Sequence, residues 1–150
     1  MKAITLWQPW ATLLAVGCKH METRSWSTKY RGEILIHASK KPYTQIAPII
    51  PPDDRKLIRE VLRLDYIDWK KRIPTGVIIG KANIVDCFQI DEAHRRKLQR
   101  ENPAELAFGD YSIGRYAWVM ADPVLFDNPI PTNGKQRLWN YYGEIPQTEK

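Results

Sequence analysis

The run T-G-V-I-I-G-K-A-N-I-V-D-C-F-Q-I, Thr75 to Ile90, is the strongest strand signal in the chain and the feature that most constrains the fold. A glycine inside it, Gly80, marks a bend or a bulge. Other strand signals lie far away in sequence. Met1 to Trp7 alternates in part and reads as an opening strand; E-I-L-I-H-A-S reads as a central strand that ends in small polar residues, His37 to Ser39, where a pocket can open; R-Y-A-W-V-M-A-D reads as a third clear strand.

Helical signals separate them. Pro9 suits a first helical turn, Trp10, Leu13 and Leu14 follow at helical spacing, and Gly17 falls where a C-terminal glycine belongs. After the proline-rich loop P-Y-T-Q-I-A-P-I-I-P-P, Asp53 or Asp54 is placed to cap a helix running to about Arg72. Its apolar stripe is Leu57, Ile58, Val61, Leu62 and Leu64, with a basic opposite face that reads as a solvated surface. Asp91 caps a second basic helix, E-A-H-R-R-K-L-Q-R-E-N, and Asn133-Gly134 predicts a turn near the C-terminus. Short strands from distant parts of the chain with helices between them imply an α+β fold, a small mixed barrel with helices packed outside.

With 150 residues, 43% hydrophobic and 27% charged, residues 1–150 fit one domain able to bury its own core. The net charge of +6 favours an anionic partner, nucleic acid ahead of a membrane surface. Cys18 and Cys87 have no zinc-finger spacing and suit a reducing cytosol. The first residues faintly imitate a lipoprotein signal, but Gln8 and Pro9 interrupt its apolar core, and no run approaches the ~20 apolar residues of a membrane span. The expectation is a soluble cytoplasmic protein without a membrane partner.

The densest polar segment is G-C-K-H-M-E-T-R-S-W, Gly17 to Trp26, at the junction between the first helix and an extended stretch. Extended backbone puts His20, Glu22, Arg24 and Trp26 on one face, with Lys19, Met21 and Thr23 on the other, so Glu22 and Arg24 can pair. Lys19 after a helix end could meet a phosphate, polarise a carbonyl or, if desolvated, act as a base.

Here the sequence resembles a family. Gly17, Lys19, Glu22 and Arg24 form G-x-K-x-x-E-x-R, preceded by Q-P-W and followed by W-x-x-x-Y-R-G and L-I-H-A-S. With G-V-I-I-G-K-A-N-I-V-D-C, Trp118-Val119 and P-I-P-x-x-G-K-Q-x-L-W, the pattern is similar to the ASCH domain, a branch of the PUA-like superfamily, over nearly the whole chain. The resemblance implies a PUA-like β-barrel whose cleft is lined by the G-x-K-x-x-E-x-R segment. It implies RNA or nucleic-acid binding, and it brings two enzymatic alternatives: a metal-dependent ribonuclease on single-stranded RNA and an amidohydrolase of N4-acylated cytidines. Fold membership does not choose among them.

The amidohydrolase branch carries a threonine nucleophile where this chain has Glu22, which favours binding over that chemistry; Glu22 could instead serve as a general base or pair with Arg24. That branch also uses a glutamate in the helical region after the central strand, for which Glu101 is the nearest match and Glu105 the alternative. The candidate catalytic residues are therefore Lys19 and Glu22, with Glu101 as a remote third. Candidate ligand-binding residues are Lys19, Glu22, Arg24, Trp26, His37, Ser39 and Lys40. Trp26 and Trp139 are the preferred stacking surfaces for an unpaired base, ahead of Trp7 and Trp10. His20 and His37 read first as hydrogen-bonded structural histidines. No metal-ligand cluster, phosphate-binding glycine loop or nucleophile elbow is visible. No cofactor is expected; a ribonuclease would use a divalent ion held by water and substrate phosphate. The expected partner is single-stranded RNA or a nucleoside or nucleotide, and the sequence leaves oligomeric state open.

Overall fold

In the computed structural model, residues 1–146 are described. The strands are β1 (Lys2–Leu6), β2 (Met21–Arg24), β3 (Gly32–Ala38), β4 (Val77–Gln89), β5 (Tyr116–Pro131) and β6 (Leu138–Asn140). The helices are α1 (Trp10–Ala15), α2 (Tyr43–Ile46), α3 (Pro52–Leu62), α4 (Trp69–Arg72), α5 (Glu92–Glu101) and α6 (Pro103–Ala107), with a 3-10 turn at Ala47–Ile49. All six strands join one sheet in the order β2-β5-β4-β3-β1-β6.

β4 is the spine, antiparallel to β3 on one edge and to β5 on the other, and its register shifts three times along β5. One shift falls between Ile78 and Gly80, where a bend was expected. Gly80 is required there, because a Cβ would run into the carbonyl oxygen of Val124. Such irregularities raise local twist and curl a sheet. The curl brings β2, one edge of the sheet, towards β1 near the other: Arg24 donates to the carbonyl of Thr5 at 2.9 Å. The result is a partly closed barrel with helices packed on it, the α+β architecture anticipated, although α1 sits within the curl and not outside it.

α1 packs on the inner face of this curl. Ala11, Leu14 and Ala15 are buried with Ile4, Leu6, Ile36, Ile79, Ile84 and Trp118, each large side chain contributing about 1.5–3 kcal/mol by leaving water. Leu13, on the other side of α1, joins Ile46, Ile50, Ile58, Leu62, Leu64 and Phe108 in a second cluster that anchors the helical segments. The fully buried amide of Gln8 ties α1 down: its nitrogen donates to the Thr12 hydroxyl and the Pro74 carbonyl, and its oxygen accepts the Thr12 amide.

Three details differ from the sequence reading. The helix expected to reach Arg72 stops at Leu62, because Arg63 turns left-handed (φ 55°) and the Leu64 amide bonds back to Arg59, swinging Leu64 into the core and leaving Val61 exposed. That helix starts from Pro51 and Pro52, with Asp53 and Asp54 in its first turn and no side-chain cap. No turn forms at Asn133-Gly134; β6 pairs with β1 instead of β5, and the connecting loop crosses His37.

Candidate functional site

α1 ends at Ala15, and Gly17 adopts φ +84°, a conformation that favours glycine. The Lys19 amide then bonds to the Leu13 carbonyl at 3.0 Å, so the chain reverses tightly before entering β2. This reversal drives the Lys19 side chain inward, where only 2% of the residue stays exposed. Its ammonium donates to the Phe108 carbonyl at 2.7 Å and lies 5.3 Å from the centre of the Tyr111 ring. Burial lowers its pKa from the ordinary 10.5, and the charges of Glu22 and Glu105 oppose that fall. Gly109 leaves room for it: a Cβ there would sit 2.7 Å from the lysine nitrogen.

Behind Lys19, Glu105 of α6 is buried and saturated with donors. One carboxylate oxygen accepts the His20 amide at 2.8 Å and meets His20 Nδ1 at 2.9 Å; the other accepts the Tyr111 hydroxyl at 2.5 Å and the Met21 amide at 3.3 Å. Burial and the Glu105 charge push the Tyr111 phenol far above its usual range, so it stays a donor. α6 is thereby fastened to the start of β2, and its Phe108 carbonyl is aimed at Lys19.

In front of Lys19 lies a cleft of about 580 Å³. Its apolar wall is Leu6, Trp7, Trp10, Ile49 and Phe108; its polar lining is Thr5, Lys19, Glu22, Thr23, Arg24, Asp110 and Arg115. A largely apolar pocket with a few fixed polar groups is the usual form of a small-ligand site. Glu22 and Arg24 pair as expected of one strand face, at 3.0 Å. Arg115 donates to the Thr23 carbonyl at 3.1 Å, and its buried Nε, which makes no hydrogen bond, lies 3.6 Å from the Asp110 carboxylate. Trp7 remains 42% exposed at the rim, with the Lys41 ammonium 4.2 Å from its ring centre.

The other candidates lie elsewhere. His37, Ser39 and Lys40 line a second hollow, of about 430 Å³, with Asn133, Gly134, Lys135 and Gln136; it shares Thr5 with the cleft. His37 Nε2 lies 2.8 Å from the Thr132 carbonyl, which fixes the proton on that nitrogen and leaves Nδ1 to accept the Thr5 hydroxyl at 3.2 Å. Trp139 Nε1 in turn donates to Thr5 Oγ1 at 3.0 Å, so its buried indole serves the core. Trp26 packs edge-on against Trp118, with centroids 4.7 Å apart, and the Arg137 guanidinium covers it at 4.8 Å. Trp7 and Trp10 are the indoles that line the cleft. Glu101 is exposed near Lys97 at the end of α5, whereas Glu105 is the glutamate that reaches the Lys19 segment.

Sequence reasoning missed Phe108, Asp110, Tyr111 and Arg115. The available signal was the position of A-F-G-D-Y-S-I-G-R between a helix and a strand, a glycine- and aromatic-rich connection suited to carrying site residues. Among the described residues no three of His, Cys, Asp and Glu converge as a ligand set, and no helix is long and apolar enough to cross a membrane.

The family model described as the ASCH domain matches residues 4–133. The chain is 26% identical over 148 residues to "Activating signal cointegrator 1" of Mus musculus and, at the same identity, of Homo sapiens. Each alignment covers 98% of this chain but 23% of the relative, so the chain spans about a quarter of their length. Among solved structures, ASCH from Zymomonas mobilis has a TM-score of 0.51 at 19% identity, covering 87% of this chain and 72% of that one. A mutant of the same protein gives 0.51 at 18% identity, covering 87% and 74%. At these identities the likeness concerns the fold alone.

Proposed function

The chain belongs to the ASCH domain family, and from that membership we propose that it binds single-stranded RNA by admitting one unpaired nucleotide to the cleft before Lys19. The observation that carries the proposal is the pairing, in one cleft, of two indole walls with the buried Lys19 ammonium and the Arg24 and Arg115 guanidiniums. An unstacked base finds a flat apolar surface on Trp7 or Trp10, and its phosphate or carbonyl groups find fixed donors. Glu22 holds Arg24 in place and supplies an acceptor for a base amine or a ribose hydroxyl.

Titration of a labelled single-stranded RNA at two salt concentrations tests this. Binding should weaken with salt, as cation–phosphate contacts require, and should fall with Lys19→Met, whose fold is verified by its melting curve. Affinity indifferent to salt and to that substitution would exclude the cleft as the RNA site.

A second reading is supported by the desolvation of Lys19 next to Glu22. A lysine with a lowered pKa beside a carboxylate can move protons, so the same cleft could hydrolyse RNA or an N4-acylated cytidine. In that reading Lys19 stabilises developing negative charge and Glu22 accepts a proton from water. The described residues offer no ligand set for a resident metal, so no step is assigned to one. Turnover of N4-acetylcytidine, or of single-stranded RNA with Mg²⁺ or Mn²⁺, would establish the enzyme; clear binding with no turnover of either leaves the binding module.

A further inference from the structure

We propose that the hollow beyond Thr5 is a phosphate subsite for the nucleotide next to the one in the cleft, which makes the ligand an oligoribonucleotide and not a free nucleoside. This rests on the cleft reading above. The two spaces are separated by Thr5: its carbonyl accepts Arg24 on the cleft side, and its hydroxyl joins His37 and Trp139 on the other. Thr5 lines both spaces, so a ligand that runs over it enters one and then the other.

The chemistry of the hollow suits a phosphodiester. Among the described residues that line it, Lys40 and Lys135 are cations and none is an acid. Ser39 Oγ accepts the Lys41 amide at 3.1 Å, which leaves its hydroxyl proton for a ligand. The floor is fixed, because both nitrogens of His37 are engaged and Gly134 lies so close that a Cβ would stand 2.6 Å from the ring. Lys40 runs over Gly76, where a Cβ would meet its Cγ at 3.2 Å. Its neighbour Lys41 covers Trp7 at the cleft rim, so consecutive lysines straddle the wall. The base would occupy the cleft while the adjoining phosphate sits between Lys40 and Lys135.

The test uses two probes, the four ribonucleosides followed by NMR shifts and a short labelled single-stranded RNA followed by anisotropy. Their binding is compared for wild type, Lys19→Met and the Lys40→Ala/Lys135→Ala double variant. The double variant should bind RNA more weakly, with a slope of log K against log salt shallower by about 1.4, as expected for two cations on a single strand. Its nucleoside shifts should match wild type. An unchanged RNA affinity and salt slope in the double variant, while Lys19→Met weakens both probes, would overturn the subsite and spare the cleft. Nucleoside and RNA binding that both ignore Lys19→Met would overturn the cleft and the pairing with it.

Discussion

The Tyr111 hydroxyl donates to Glu105 at 2.5 Å, and through this bond the loop after α6 and the start of β2 share one buried carboxylate. Removing that acceptor strands the amides of His20 and Met21 and leaves the Tyr111 hydroxyl only the Met21 carbonyl at 3.3 Å. Glu105→Ala should therefore cost about 3 kcal/mol or more in urea unfolding, and Tyr111→Phe about 1–2 kcal/mol. A loss under about 0.5 kcal/mol for Glu105→Ala would show that the carboxylate is not the fastening between α6 and β2.

Lys19 should leave a pH signature. Its ammonium is less basic in the folded chain than its ordinary 10.5, so between the two values the unfolded chain binds more protons and stability rises with pH. Wild type should gain stability relative to Lys19→Met as pH climbs from neutrality towards 10.5. Urea midpoints of the two proteins measured side by side check this. A difference that stays constant with pH would mean that burial does not perturb the lysine.

What could be read from the sequence was local. Gly17, Lys19, Glu22 and Arg24 sit within one short segment, and the Glu22–Arg24 pair follows from alternation alone. Alternation puts Lys19 on the opposite face, but β2 begins only at Met21 and the tight reversal before it turns Lys19 into the cleft with Glu22 and Arg24. The first four strands, β5 as far as Asp122 and the bend at Gly80 followed from pattern in the same way, whereas the run of β5 on to Pro131 and the short β6 did not. Lys19 makes its buried contact with Phe108, far along the chain, and that meeting depends on the curl of the sheet and on α6 docking. Glu105 was an alternative to Glu101 because the helical pattern does not say which glutamate turns inward. His37 and Ser39 end a strand as read, yet Thr5, one strand over, decides which of two spaces they face.

The indoles should divide by role. Trp7 is half-open at the cleft rim, so Trp7→Ala should weaken RNA binding by about 1–3 kcal/mol, the worth of one stacked base, with little change in melting temperature. Trp26 packs on Trp118, and Trp118 Nε1 donates to its carbonyl at 3.2 Å. Trp26→Ala should lower stability and leave the affinity of the folded protein near wild type. The reverse pattern in anisotropy and thermal melts would move the stacking surface to Trp26.

His37 should make the fold acid-sensitive. Burial lowers its pKa from 6.5 and the nearby Lys40 charge adds to this, while the bond to the Thr132 carbonyl works the other way. The unfolded chain thus binds more protons below 6.5, and stability falls as pH drops from 6.5 through the folded value. His37→Gln should flatten that decline relative to wild type in thermal melts taken from neutrality downwards. Parallel profiles for the two proteins would count against a neutral, buried imidazole.

Gly109 separates position from charge at Lys19. A Cβ there would stand 2.7 Å from the ammonium and 3.2 Å from the Tyr111 ring, so Gly109→Ala keeps every charge yet pushes the lysine off the Phe108 carbonyl. If the cleft works by holding the ammonium at one place, Gly109→Ala should reduce RNA affinity towards the level of Lys19→Met. The salt slope should stay close to wild type, because no cation has been removed. If Lys19 contributes only long-range charge, Gly109→Ala will bind like wild type while Lys19→Met does not. Anisotropy titrations of the three proteins at two salt concentrations distinguish the cases, with melting curves confirming that the alanine is accommodated by movement of the lysine tip.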